Sequence, residues 1–502
     1  MATTASAASP AAQAPDRRRY LILAICCMSL FIVGLDNTIV NVALPSIHRD
    51  LHASVPQLQW TIDAYTLVLA SLLMLSGSMA DRLGRARIFK VGLVLFTLGS
   101  LLCSLAPTVQ LLILFRMVQA VGGSMLNPVA MSIIRNTFTD ARERAQAIGL
   151  WAGVIGLSMA MGPVLGGALV DTGSWRSVFW VNVPIGLLAA ALTWRFVPES
   201  KAPRARRVDP IGQLLVIVLL ASTVYAIIEG PSHGWLSGEI LGLFALAAVA
   251  VGALVRYERR RVDPLIDVRF FASAPFSGAS VIAIAAFTAL GAFLFLNTIY
   301  LQDSRGLSPF HAGLYTLPMA AITVVVGPLT GRLVGARGAR PSLVLGGGAI
   351  LLSGLMLTGL TQTTSPAWLF AGYVVFGIGF GSVNPPITNT AVSGMPPAQA
   401  GVASAVASTS RQVGLSLGVA LAGAIAVVAT TDPAILATGT HPGWWLVAGC
   451  GVLIVALGLL TTTRWALDTA TATAARLCED DPEQPPPGPV DAERPAAARV
   501  GV

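Results

Sequence analysis

Charge is what this sequence has least of. Of its 502 residues 11% are charged and 54% are hydrophobic, whereas a soluble domain carries about 25% charged residues. Water is therefore excluded as the main solvent, and an ordinary soluble enzyme with it. Lysine is nearly missing: Lys90 and Lys201 are the only two among 32 basic residues. Neither follows a glycine, so the phosphate loop of an ATP-driven pump is absent from the sequence. Cysteine is scarce, with Cys26, Cys27, Cys103 and Cys450 inside apolar runs and Cys478 in the tail. Without a CxxC pair, and with five isolated histidines, the sequence argues against disulfides, a zinc site and a nucleophile–base set. It reads as a protein that is not an enzyme and needs neither cofactor nor metal.

What is there is apolar length. Stretches of about 20 residues, each enough to cross a hydrocarbon core of about 30 Å as a helix, lie near 20–43, 60–80, 88–106, 109–132, 145–170, 178–197, 209–229, 238–256, 277–301, 312–333, 342–361, 367–392, 402–428 and 444–463. The expected fold is an all-α polytopic membrane protein with about fourteen transmembrane helices. Residues 1–19 lack a small-residue cleavage site, so the first span is read as retained.

The net charge of +8 would suggest nucleic acid in a soluble protein. Here position gives another reason. Alternate loops hold 27 of the 32 basic residues, and the opposite loops hold Arg49, Arg176 and Arg305. Basic residues collect in cytoplasmic loops, so both termini are expected in the cytoplasm, with a lipid bilayer and no nucleic acid as partner. Arg116 and Arg411 are left inside spans.

The sequence also repeats itself. Gly77-Ser-Met-Ala-Asp81-Arg82 recurs as Gly327-Pro-Leu-Thr-Gly331-Arg332, each placed in a loop after the second span of a half. Ser124-Met-Leu-Asn127-Pro128 resembles Ser382-Val-Asn384-Pro385 at a similar offset. Such repetition marks transporters built from two folded halves. The expected organisation is a disordered N-terminus over 1–19, a six-helix bundle over 20–197, and an inserted helix pair over 198–270. A second six-helix bundle follows over 271–465, then a tail over 466–502 that is disordered from about 479.

A charge inside a span costs about 2.5–3.5 kcal/mol on insertion scales. Asp36 in the first span and Arg116 in the fourth lie at matching depth, about 10 Å in, with Asp63 of the second span within reach of them. One reading is proton coupling, in which a proton and a polar or cationic substrate occupy a cavity in turn; the other is a permanent ion pair joining two helices. Arg411 has no acidic partner in its own half, and both function and structure stay open for it. Asn37 and Asn41, with Arg411, are candidates for a substrate cavity.

The segment from Gly77 through Asp81, Arg82, Gly84 and Arg85 to Arg87 reads as a tight cytoplasmic turn whose charges pair in one conformation and part in another. Gly162-Pro163-Val-Leu-Gly166-Gly167 reads as a close-packing hinge of the fifth span.

Together these residues resemble the major facilitator superfamily, and within it the fourteen-helix drug:proton antiporters of the QacA/EmrB type. Leu35-Asp36-Asn37 through Leu44-Pro45 resembles the family's first-helix motif, whose acidic residue is implicated in coupling. The Gly77 to Arg87 segment resembles the superfamily's conformational-switch motif, and Arg116 with Gln119 and Gly122 its fourth-helix proton-transfer motif. Gly162 to Gly167 resembles the antiporter motif, and Trp175-Arg176 through Asn182-Val-Pro184 the stretch that follows it. The resemblance spans roughly residues 20–465. It implies two bundles with alternating access in a bacterial cytoplasmic membrane, exporting hydrophobic drugs or antibiotics against protons, as in antibiotic exporters of antibiotic-producing bacteria. The second-half copy of the switch segment has Gly331 in place of Asp81, so no switch role carries over to it. The alternative is a proton-coupled importer of a small nutrient or metabolite.

Overall fold

The structure, a computed structural model, describes residues 16–201, 208–261, 264–392, 400–425 and 432–479. Among these the chain is helical, with no strand. The first half comprises α1 (Asp16–Leu51), α2 (Val55–Leu83), α3 (Arg85–Ser104), α4 (Val109–Thr137), α5 (Ala141–Thr172), the short α6 (Ser177–Trp180) and α7 (Asn182–Phe196). A hairpin follows, α8 (Pro210–His233) and α9 (Gly238–Glu258). The second half comprises α10 (Ala274–Thr298), α11 (Pro309–Arg337), α12 (Ala339–Leu357), α13 (Pro366–Val392), α14 (Ala400–Ile425), α15 (Pro433–Gly439) and α16 (His441–Leu460), with α17 (Arg464–Glu479) after it.

Local sequence sets many of these boundaries. Thr108, Asp209, Ser237, Ser273 and Ser308 each accept a backbone N–H at the start of α4, α8, α9, α10 and α11, a pairing that satisfies a helix's orphan donors. Proline at the start of α8, α10 and α11 fits where no N–H is needed. The sixth span is broken at Val181 into α6 and α7. In contrast to the expected end near residue 43, α1 runs through Pro45 to Leu51. Proline is tolerated within a membrane helix, so Asp36 lies some 15 residues, or about 22 Å, from that end.

Twelve helices among the described residues are long and apolar enough to cross a membrane. The helices α5 and α14, although 32 and 26 residues long, are outside that set of twelve. Of the ends expected to be disordered, 1–19 and from about 479, residues 16–19 are instead the first turn of α1 and residue 479 the last of α17; 1–15 and 480–502 lie outside the described residues.

The repeated segments are helical rather than looped: Gly77 to Arg82 belongs to α2 and Gly327 to Arg332 to α11. The turn itself is Gly84 alone, with φ +122°, a backbone conformation that glycine adopts freely. A Cβ there would also lie 2.6 Å from the Glu199 carboxylate.

One apolar cluster joins α1 to α4 and α7 around Tyr65, Phe89 and Phe96. A larger one fills the second half and extends to the ends of α1 and α6. At its centre Phe293 stacks on Phe376, ring centroids 4.2 Å apart, and takes Tyr373 and Trp444 edge-on. Phe293 and Phe295 are thus core residues. The α8–α9 hairpin lies against the side where α2 meets α14, with Gln213 of α8 donating to the Ser71 carbonyl at 2.5 Å.

Candidate functional site

The charges of α1 and α4 meet in the interior of the first half. Arg116 Nη1 donates to Asp36 Oδ2 at 2.5 Å, with side chains 1% and 0% exposed. Asp36 accepts further bonds from Gln119 Nε2 at 2.9 Å and Asn182 Nδ2 at 3.3 Å. Arg116 is held in turn by the Thr61 carbonyl at 3.0 Å and Gln119 Oε1 at 2.8 Å, and the Tyr65 ring lies 4.1 Å beneath its guanidinium. Gln119 also donates to Ser100 Oγ at 2.7 Å. Five helices, α1, α2, α3, α4 and α7, thereby contribute to one buried polar network.

Helical periodicity explains this convergence. On α4, Arg116 and Gln119 are three residues apart and share a face. On α2, Thr61 and Tyr65 are four apart and face the arginine together. Asp63 is about 200° round the helix from Thr61 at 100° per residue, so it turns away from the pair instead of joining it. Its carboxyl, fully buried, faces the hydroxyls of Thr66 on its own helix and of Ser416 on α14. Its Oδ2 has no hydrogen-bond partner, and no ion pair to it occurs among the described residues.

Arg411, on α14, donates to the Thr388 hydroxyl of α13, while its buried Nε is unpartnered. Asn41 lines a narrow cavity with Pro163, Leu294, Asn297, Gln302 and Thr316, and the Oδ1 atoms of Asn37 and Asn41 are free.

The segment from Gly77 to Arg87 sits at the end of the molecule where α1 begins. Arg85 pairs with Asp81 at 2.9 Å, four residues apart, and Gly77 meets the Pro128 side chain at ordinary contact distance. Arg82 is exposed. Glu199, which the sequence reading overlooked, accepts the backbone N–H groups of Ala86 and Arg87 at 3.0 and 3.1 Å. It thereby anchors the segment after α7 to the start of α3.

At the opposite, distal end the two halves are tied together. A Cβ on Gly162 would overlap the Thr38 hydroxyl, and one on Gly167 would lie 2.3 Å from the Pro309 carbonyl. The antiporter-like motif thus lets α5 touch both α1 and α11, and Gly166 packs on Ile39. The Pro163 carbonyl reaches the corresponding position of Gly313. Asp171 Oδ2 accepts from Ser308 Oγ at 2.7 Å and from Phe310 N at 3.1 Å, capping α11 from the other half. Gln302 Nε2 donates to the Val42 carbonyl at 2.9 Å, and Gln59 Nε2 to the Ala420 and Val419 carbonyls at 2.9 and 3.3 Å. None of the three residues that make these hydrogen bonds, Asp171, Gln302 and Gln59, was singled out from the sequence, although buried glutamine near a helix end is a signal of such a tie.

Two helical halves and apolar helices of membrane-crossing length define a multi-pass helical membrane architecture. The family is equally plain: residues 26–419 match the Major Facilitator Superfamily, and the chain belongs to it. The chain is 38% identical over 421 residues to the multidrug resistance protein Stp of Mycobacterium tuberculosis (strain CDC 1551 / Oshkosh), covering 83% of this chain and 78% of that protein. The methylenomycin A resistance protein of Streptomyces coelicolor (strain ATCC BAA-471 / A3(2) / M145) is 36% identical, over 78% and 82%. The puromycin resistance protein pur8 of Streptomyces alboniger is 35% identical over 484 residues, 93% and 95% of the two chains. Among solved structures, a bacterial homolog of the human lysosomal transporter Spinster, in an inward-facing and unoccupied conformation, superposes with a TM-score of 0.63 at 18% identity. It covers 92% of this chain and 99% of that one, and shows the fold.

Proposed function

We propose that this protein exports hydrophobic drugs or antibiotics across a bacterial cytoplasmic membrane in exchange for protons. The names of its relatives supply the substrate class, and the fully buried Asp36–Arg116 pair carries the coupling. Every partner of Asp36 is a donor: Arg116, Gln119 and Asn182. A proton arriving on that carboxyl takes away the charge that holds Arg116, and the network of five helices then rearranges. Burial makes this consequential, since an uncompensated intramembrane charge is costly. Asp63 is a second proton site in this reading.

The helices α5 and α14 cross the bilayer with the other twelve spans, making fourteen, as in the QacA/EmrB type. The first bundle occupies 20–197 and the second 271–465, with the inserted pair within 198–270 and both termini, 1–19 and 466–502, in the cytoplasm. The distal ties then close the outer side. Opening it requires Asp171 to release α11 and Gln59 to release α14, while Asp81, Arg82 and Arg85 change partners on the cytoplasmic side. Alternating access of this kind shows a substrate to one side at a time. Asn37 and Asn41 offer their free acceptors to the cargo.

The driving force suffices. At about 150 mV one proton supplies about 3.5 kcal/mol, which holds a few-hundred-fold gradient of a neutral substrate. The test is transport by purified protein in liposomes, with ethidium and a panel of antibiotics as cargo. Asp36→Asn is expected to abolish pH-driven export while leaving folded protein in the membrane. Unchanged pH-driven export by that variant would refute the assignment. Accumulation rather than efflux in intact cells, abolished by a proton uncoupler, would make the protein an importer.

A further inference from the structure

Of the four charges that the sequence places inside spans, two satisfy each other and two are left over. Asp36 and Arg116 are the pair. Asp63 and Arg411 are the remainder, one acidic and one basic, and they belong to α2 and α14, which meet between the halves. On α2, Asp63 is fully buried with a bare Oδ2. On α14, Arg411 has a hydroxyl for a partner and a bare, buried Nε. Its own half cannot neutralise it. From Ala274 to Leu460 the sequence has two acidic residues, Asp303 and Asp432, and both lie near the distal end, after α10 and before α15.

The register of α2 and α14 sets the two at neighbouring levels along the seam. Gln59 bonds to the carbonyls of Val419 and Ala420, and Asp63 faces Ser416, so the helices run antiparallel with residue 59 beside 420 and 63 beside 416. Continuing that pairing sets Arg411 opposite position 68, five residues from Asp63, or about 7.5 Å along the axis. The length of an extended arginine side chain matches that axial offset once it lets go of Thr388. The competing charges are already engaged or remote. From α4 Arg116 holds Asp36 of α1, Glu229 of α8 accepts the Trp60 indole N–H, and Arg85 of α3 pairs with Asp81. The hairpin α8–α9 covers this seam, with Leu220 and Val224 of α8 packed on Leu417 and Ala420.

We propose that Arg411 is the positioning residue for proton exchange at Asp63. When Asp63 releases its proton to the water of the pathway, the guanidinium leaves Thr388 and pairs with the carboxylate across the seam; when a proton returns to the carboxylate, the guanidinium goes back. The inference rests on proton-coupled export as read above and adds to it a counter-charge that links proton occupancy to the contact between the halves. A neutral carboxyl exerts no such pull, so the two protonation states favour two arrangements of α2 against α14.

The test is an infrared pH titration of the full-length protein in liposomes, following the protonated-carboxyl stretch that Asp63→Asn removes. An opposite charge at about 4–6 Å lowers a carboxyl midpoint by about 1–3 units. Arg411→Gln is therefore expected to raise the midpoint by about one pH unit or more, and Arg411→Lys to keep most of the wild-type value. Thr388→Val, which frees Arg411, is expected to lower it. A midpoint unchanged in both Arg411→Gln and Thr388→Val overturns the proposal, as does a shift of the same sign in both, or the absence of any band assignable to Asp63. If Arg411→Gln fails to fold, as judged by gel filtration, Thr388→Val decides alone: a lowered midpoint supports the pairing and any other result overturns it. Ethidium export is measured on the same liposomes. Opposite midpoint shifts together with export indifferent to the pH gradient would leave the pairing standing and remove the proton-coupled reading.

Discussion

The two halves share a helical plan and differ in what holds their centres. In the first, five helices converge on Asp36 and Arg116 through hydrogen bonds among Gln119, Asn182, Ser100 and Thr61. In the second, the corresponding depth is aromatic: Phe293, Phe376, Tyr373 and Trp444 pack ring on ring. An apolar core has one good arrangement over a wide pH range, whereas a core built on an ion pair changes with its proton count. In the proposed reading the difference places the response to protons at the Asp36–Arg116 network and makes the aromatic centre of the second half the stiffer part.

Arg116→Ala is the severest way to break this contrast. It strands Asp36 without a cation, and breaking a buried pair from one side costs about 3–5 kcal/mol. The expected result is a lowered unfolding midpoint in thermal melts together with complete loss of pH-driven export. Phe293→Ala is the matching change in the second half. Truncating a buried phenylalanine costs about 3–5 kcal/mol, so the melt should fall by a comparable amount. The number of protons exchanged per substrate, measured in liposomes, should stay at the wild-type value. Loss of coupling in Phe293→Ala would dissolve the contrast, because aromatic packing would then be part of the proton machinery.

The sequence carries depth well and azimuth badly, and the site shows both. Hydropathy places Asp36 and Arg116 at a common level, and the structure brings them together. Asp63, read as nearer the end of its span but within reach of that pair, lies on another face of α2, and one span read by itself does not tell which neighbour that face meets. The helical, multi-pass architecture is legible because apolar runs of about 20 residues have few other uses. Helix ends are less so: α1 passes through Pro45, and the repeated segment from Gly77 to Arg82 is the last part of a helix. Glu199 escapes notice because it lies in a stretch whose many arginines draw attention to topology. Its role needs the start of α3, more than a hundred residues away, to be seen beside it.

The smallest effect concerns the contact between the halves. Gln59 spans the α2–α14 seam with two bonds to backbone carbonyls, and side-chain hydrogen bonds between membrane helices are worth about 0.6 kcal/mol on average. Gln59→Leu is therefore expected to leave thermal stability almost unchanged. Its effect falls on the balance between conformations, because the bond exists in the distally closed arrangement and is lost when that end opens. A loss of 0.6 kcal/mol corresponds to about a threefold shift toward the open form. That shift is measurable as faster labelling of Asn41→Cys by a membrane-impermeant thiol reagent from the distal side. Labelling that is unchanged by Gln59→Leu would mean that the closed end is held by Asp171 and Gln302 alone.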